Sequence, residues 1–250
     1  MDGCGKSSRS GRGWEVRSGS VTGRLLAVAA VLVAAVILLL PVSRGAREAA
    51  RRSQCASNLK TIGRAIDAYS REHGSLPPPF SFDADGHPLH SWRVLLLPYF
   101  DDVAAAGAID VEKRWDDPAN ATAGLATAEP YRCPSLRAPA GTTTYQLVVS
   151  PEGLVRPDRS ATREEAASAD RNTILVIEVP EGRAVPWMGG GDAGVEVLMG
   201  SDEGCHPGGV MALFADGSID FLHIGSLPLD VRRSLITPEA DTPPGSFDLP

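Results

Sequence analysis

LLAVAAVLVAAVILLLPVSRGAREAARRSQCASNLKTIGRAIDAYSREHG, residues 25–74, is the stretch on which the fold turns. Its first sixteen residues, 25–40, carry no charge, and Pro41 and Val42 extend the run to eighteen. That meets the lower limit for a helix crossing a bilayer, at about 1.5 Å per residue across roughly 30 Å. A buried core helix would show a polar face, and this run has none. A cleaved secretory signal needs small residues just past the apolar stretch, where Arg44 and Arg47 intrude. The run therefore reads as an uncleaved anchor over 24–42. Beyond it Cys55, Leu59, Ile62, Ile66 and Tyr69 recur at steps of four and three, one stripe of an amphipathic helix over 43–74. Gly74 suits its C-cap, and Leu76-Pro77-Pro78-Pro79 prevents any further helical turn. The expectation is one long helix, kinked at Pro41. Its first half lies in lipid and its second packs one face on a soluble domain.

Outward from this helix the composition changes. Residues 1–23 are rich in Gly, Ser and Arg without a period and read as a disordered basic leader. Residues 1–64 carry eleven Lys/Arg against three acids, net +8, whereas 65–250 carry thirteen against twenty-eight, net −15. An acidic body argues against a nucleic-acid partner. Basic residues flank the apolar run on both sides, so the positive-inside rule does not orient it. SWRVLLLPYF (91–100) reads as a short helix ended by Pro98. TTTYQLVVS (142–150) and NTILVIEVP (172–180) are β-branched strands, GVEVLM (194–199) a weaker one. The body spans 75–235, and the Pro-rich acidic tail 236–250 reads as disordered.

HPGGVMALFADGSIDFL (206–222) raises the question of chemistry. Two alternating runs flank Asp216-Gly217, a dipeptide suited to a two-residue type I′ turn with Ala215 opposite Ser218. His206 and Asp216 could form a metal pair or an acid/base pair. In such a hairpin, however, they stand at opposite ends, so a turn role for Asp216 and a strand-entry role for His206 weigh more. Gly208 and Gly209 fit a tight strand entry. Asp83 and Asp85 begin like a calcium loop, but its twelfth position is Val94, which excludes an EF-hand. A looser calcium site drawing on Asp101 or Asp102 is the sharp reading, an Asp-Gly turn the bland one. His87 and His90 as zinc ligands lack further partners. Trp92, Trp115 and Trp187 suit packing more than sugar stacking. There is no G-x-S-x-G elbow, P-loop or G-x-G-x-x-G, so no catalytic residue is assigned and no enzyme is expected.

Five ordered blocks carry a resemblance: LLLPVSRGAREAARRSQCASNLKTIGRAIDAYSREHGSLPP (38–78), DADGHPLHSWRVLLLPYFDD (83–102), WDDPAN (115–120), YRCPS (131–135), and the spacing of His206 to Asp216-Gly217. Over roughly 25–225 the chain resembles a bacterial prepilin-like family of unknown biochemical function that carries an H-X9-DG signature. The resemblance implies an α+β, pilin-like fold, with the long N-terminal helix packed on an antiparallel sheet. It also implies an inner-membrane anchor with the body outside the cytoplasm. Cys55 and Cys133 both fall in family-like blocks, which suggests a disulfide between them and leaves Cys205 free; Cys4 lies in the leader. Prepilin processing would fall between Gly23 and Arg24. There Arg24 replaces the usual aromatic and Val28 the usual glutamate, so neither cleavage nor filament assembly follows from the resemblance.

Two functions are expected. The first is a membrane-anchored pilin-like or pseudopilin-like structural protein, linked to type II secretion or type IV pilus-type machinery. Its partners would be the membrane, other envelope proteins or copies of itself through the N-terminal helix. The second is an anchored extracytoplasmic module for a solute, glycan or calcium ion, lined by Asp83, Asp85, His87 and the tryptophans. Calcium aside, no cofactor is expected.

Overall fold

The computed structural model describes residues 21–100, 108–135, 137–200 and 204–238. Two compact units divide the chain, one up to Ala46 and one from Arg47. Helix α1 (Val21–His73) contributes to both. In the first unit Val21, Leu25, Leu26, Val28, Val31, Leu32, Val33 and Ile37 are between 58% and 75% exposed. Among the described residues no helix is long and apolar enough to cross a membrane. The side chains of residues 35, 36 and 38–44, on which the expected span at 24–42 depends, lie outside the described ones, as do the leader up to residue 20, Asp101 and Asp102, and the tail from 239.

In the second unit the helix ends at Gly74. That residue takes φ +75° and its N–H donates to the Ser70 carbonyl, the left-handed cap that glycine adopts without a Cβ penalty. In chain order the next elements are strands β1 (Phe80–Phe82) and β2 (Pro88–Ser91), helices α2 (Trp92–Leu95) and α3 (Ala121–Leu125), and strands β3 (Thr142–Thr143) and β4 (Tyr145–Leu147). Then come α4 (Arg163–Ser168), β5 (Ile174–Glu178), β6 (Val185–Pro186), α5 (Val195–Met199), β7 (Val210–Phe214), β8 (Ile219–Leu222) and α6 (Leu229–Ser234). The fold is α+β. Its main sheet is antiparallel, in the order β4-β5-β7-β8. Two short pairs, β1-β2 and β3-β6, flank it.

Both faces of the main sheet are covered, which is why ILVIE and VMALF are buried throughout instead of alternating. On one face Cys55, Leu59, Ile62, Ala65 and Ile66 of α1 join Tyr145, Leu147, Val176, Met211 and Leu213 in one core. The stripe expected from the sequence is the buried one from Cys55 to Ile66, and Tyr69 at its end is partly buried against the same core. On the other face Ile177, Ala212, Phe214 and Leu222 pack with Leu198, Leu235 and Ile236 around α5 and α6.

Three expectations are corrected. The β7-β8 register pairs Leu213 with Ile219, and Phe214 N–H donates to Ser218 O while Gly217 N–H donates to Phe214 O. The loop is therefore three residues, Ala215-Asp216-Gly217. It is a tight turn closed by glycine at φ +84°, and the two-residue turn is not formed. GVEVLM is helical. Val195, Leu198 and Met199, spaced i, i+3, i+4, pack into the second core, and that burial overrides the β propensity of the valines. The body runs past 235, because Ile236 is buried and Pro238 O accepts from Asp170 N–H. The segment 91–100 forms α2 and then a 3-10 turn at Leu97–Tyr99, with Pro98 in its first positions.

Candidate functional site

The stripe on α1 continues backwards as Arg52 and Glu48, at the same steps of four and three, but polar. These two meet the His206-Pro207-Gly208-Gly209 entry to β7. Arg52 Nη2 donates to Pro207 O at 3.1 Å, and its guanidinium lies 4.4 Å over the Phe221 ring. Glu48 Oε1 is 2.6 Å from His206 Nδ1. A carboxylate only accepts, so Nδ1 carries a proton and the Nε2 edge faces the opposite way. Gly208, at φ +90°, and Gly209, whose notional Cβ would fall 2.1 Å from Leu222 O, allow this tight entry.

Four donor side chains converge there. Cys55 comes from α1 and His206 from the β7 entry. Cys133 comes from the loop after the 3-10 turn Glu129–Tyr131, and Glu178 from the end of β5, paired with Tyr145. One ligand atom from each lies within 4.8 Å of all the others. Cys55 Sγ and Cys133 Sγ stand 3.1 Å apart as free thiols, so the structure brings together the pair suggested by the resemblance. His206 Nε2 is 3.2 Å from Glu178 Oε2, an ion pair when the imidazole is protonated. Among the described residues Nε2 and both Glu178 oxygens have no hydrogen-bond partner. Around this group Asn58 Nδ2 donates to Arg132 O at 2.8 Å and to Tyr145 Oη at 3.4 Å, which fixes the Cys133 loop against α1. Beside Cys133 opens a cleft of about 400 Å³, lined also by Tyr131, Arg132 and Thr144.

The electrostatics follow from crowding. Burial opposes charge on His206, and the neighbouring Cys55, Glu178 and Glu48 side chains more than offset it, raising the imidazole to about 10. The hydrogen bond with Cys133 brings the Cys55 thiol down to about 7 against the effect of burial. Cys133 is pushed up by the same bond and by burial. Cys205 is buried with its thiol donating to Val179 O, and burial pushes it up; it takes no part in the group.

The other expected positions separate from this cluster. Asp216 and Gly217 sit in the hairpin loop at the far end of β7, where Asp216 Oδ1 accepts from Ser218 N–H at 2.8 Å. Asp83, Asp85 and His87 also bring ligand atoms within 4.8 Å of one another, but at the surface. Asp83 Oδ1 already accepts from the N–H groups of Asp85 and His87, and the latter bond foremost holds its carboxyl below the usual range. This is the geometry of an Asx turn. His90 is buried in β2 and lies outside this group. Trp92 and Trp187 are fully buried, so they pack the core and offer no face to a sugar. Gly23 and Arg24 lie in the exposed first turns of α1.

Sequence reading missed Glu48 and Glu178. The signals were a charged residue continuing the stripe and a lone carboxylate inside an otherwise apolar strand.

The model of one family, proteins of unknown function (DUF1559), matches residues 44–175, just over half of the chain. The chain belongs to this family. The DUF1559 match begins at the stem of α1 and ends inside β5, so it includes Glu48, Cys55 and Cys133 and stops short of Glu178 and His206. It carries no functional description. The prepilin-like character and the H-X9-DG signature go beyond it. No curated protein and no solved structure matches this DUF1559 chain.

Proposed function

We propose that the chain is a membrane-anchored, non-enzymatic structural protein of the bacterial envelope, pilin-like in plan, its acidic body held outside the cytoplasmic membrane. The observation that carries this reading is the exposed apolar surface of α1 before Ala46. Eight large apolar side chains face solvent there, in a chain that buries most of its other apolar residues on the two sides of a sheet. Such a surface needs a lipid or helical environment. The stem stripe supports the pilin-like plan, because one helix would serve as both anchor and core element. The glycan-lining version of a binding module loses Trp92 and Trp187 to the core. The test is alkaline extraction of membranes from cells expressing the full chain, with mass spectrometry of its N-terminus. Retention in the membrane pellet supports the anchor, and release into the wash overturns it. A terminus at Arg24 would add processing, whereas an N-terminus at Met1 would define a fixed anchor.

A further inference from the structure

Four donors from four distant segments, the buried Cys55, Glu178 and His206 and the half-buried Cys133, surround one point, and among the described residues Glu178 and His206 keep polar atoms without hydrogen-bond partners. Nε2 and Glu178 Oε2 face each other at 3.2 Å, yet among the described residues neither gains a hydrogen bond, and a cation shared by the four donors would satisfy both. We propose that these four residues bind a zinc-class divalent cation in a closed tetrahedral site.

The donor chemistry fits. Two thiolates, an imidazole and a carboxylate are the ligands that zinc takes, and four protein ligands make a structural site. With Zn–S near 2.3 Å and Zn–N or Zn–O near 2.0 Å, tetrahedral edges run roughly 3.3–3.8 Å. The observed separations, from 3.1 Å between the sulfurs up to the 4.8 Å limit, bracket that range, so small side-chain shifts close the shell. The second shell is also in place. Glu48 binds His206 Nδ1 at 2.6 Å, which orients Nε2 inward and raises its basicity, the carboxylate–histidine–metal arrangement. Half-buried Cys133 lines the cleft of about 400 Å³, which supplies an entry path. On binding, both thiol protons and any proton on Nε2 leave to solvent, and the cation forms four bonds with no redox change. The site pins the α1 stem to β5, to the β7 entry and to the Cys133 loop. It stands independently of the anchoring reading, since a detergent-extracted chain would bind the cation in the same way.

The experiment is cobalt(II) titration of the reduced, detergent-solubilised full chain, read by visible and near-ultraviolet absorption, with zinc as competitor. Expected are the intense d–d bands of a tetrahedral site, a thiolate-to-cobalt charge-transfer band, and their loss when zinc is added. X-ray absorption of the zinc form should count two sulfur scatterers at roughly 2.3 Å. Cys133→Ser and His206→Gln should lose the charge-transfer band or the tetrahedral intensity, and Cys205→Ser should keep both. The wild-type spectrum needs no variant, so a fold lost on substitution leaves the test intact. A reduced wild-type chain with no tetrahedral bands overturns the proposal, as do bands that survive Cys133→Ser unchanged. A surface site at Asp83 and Asp85 would give no thiolate band, and that outcome also overturns it.

Discussion

Arg93 is fully buried, and the reason it can be is Asp192. Its Nε and Nη2 donate to Tyr145 O at 3.0 and 2.7 Å, and Nη2 also reaches Asp192 Oδ1 at 3.2 Å. The same oxygen accepts from Trp92 Nε1 at 3.0 Å and from Leu147 N–H at 3.3 Å, so one carboxylate ties α2 to β4 through the core. Burial pushes the Asp192 carboxyl up, while Arg93 and Trp92 hold it down. Removing one member of a buried pair strands the other charge, so Asp192→Ala should cost about 3–5 kcal/mol in urea denaturation. Gly209 makes a second sharp case. A Cβ there would fall 2.1 Å from Leu222 O, a backbone atom that cannot swing aside. Gly209→Ala should destabilise by about 2 kcal/mol and loosen the seat of His206. None of these partnerships could be read from the sequence. Arg93 sits in an apolar segment like a surface charge, and Glu178 like an oddity in a strand. Cys55 and Cys133 emerged only because both lie in recognisable blocks. Long-range pairing depends on topology, and one sequence does not encode topology in any local pattern.

At the level of elements, legibility tracks period and length. The α1 stem carries several turns of stripe, and its buried face is the expected one. The β7-β8 hairpin was legible in its turn residue but not in its loop length, because Asp-Gly serves both two- and three-residue loops and register decides between them. Helix α5 was misread because five residues hold too little period to outvote two valines. Helix α4 is only one residue longer, yet it carries a full start signal. Thr162 Oγ1 accepts from Glu165 N–H while Glu165 Oε2 accepts from Thr162 N–H. Thr162→Ala should therefore cost about 1 kcal/mol by denaturant titration. Glu165 also makes its contribution depend on pH. The Arg159 side chain first, then the Thr162 N–H, holds its carboxyl at about 2, below the ordinary 4.5. A carboxyl depressed on folding contributes fully above its unfolded value and loses that contribution as pH falls through the folded one. The difference in thermal midpoint between wild type and Glu165→Gln should thus be constant above pH 4.5 and close as pH falls toward 2. The pair is exposed, so salt should shrink the difference at neutral pH.

At the scale of the whole molecule, the two units differ in what they leave uncovered. From Arg47 onward the main sheet is sealed on one face by the α1 stem and on the other by α5 and α6, and each face has its own core. Among the described residues, neither core draws on residues 1–42. Before Ala46, eight large apolar side chains are more than half exposed. At roughly 1.5 kcal/mol for each such side chain moved out of water, their burial is worth on the order of 10 kcal/mol. That is as much as the whole stability of an ordinary domain. Anchoring through this segment therefore predicts a clean separation of properties. Deleting residues 1–42 should move the protein from the membrane pellet to the supernatant and leave the thermal midpoint of the body unchanged, because Glu48 and the whole buried stripe are retained. Fractionation by ultracentrifugation and a melting curve in the same buffer read the two properties independently. A truncated chain that stays in the pellet would place the membrane contact on the body. A truncated chain with a markedly lower midpoint would mean that the apolar segment supports the fold, and the division into an anchoring unit and a self-sufficient body would fail.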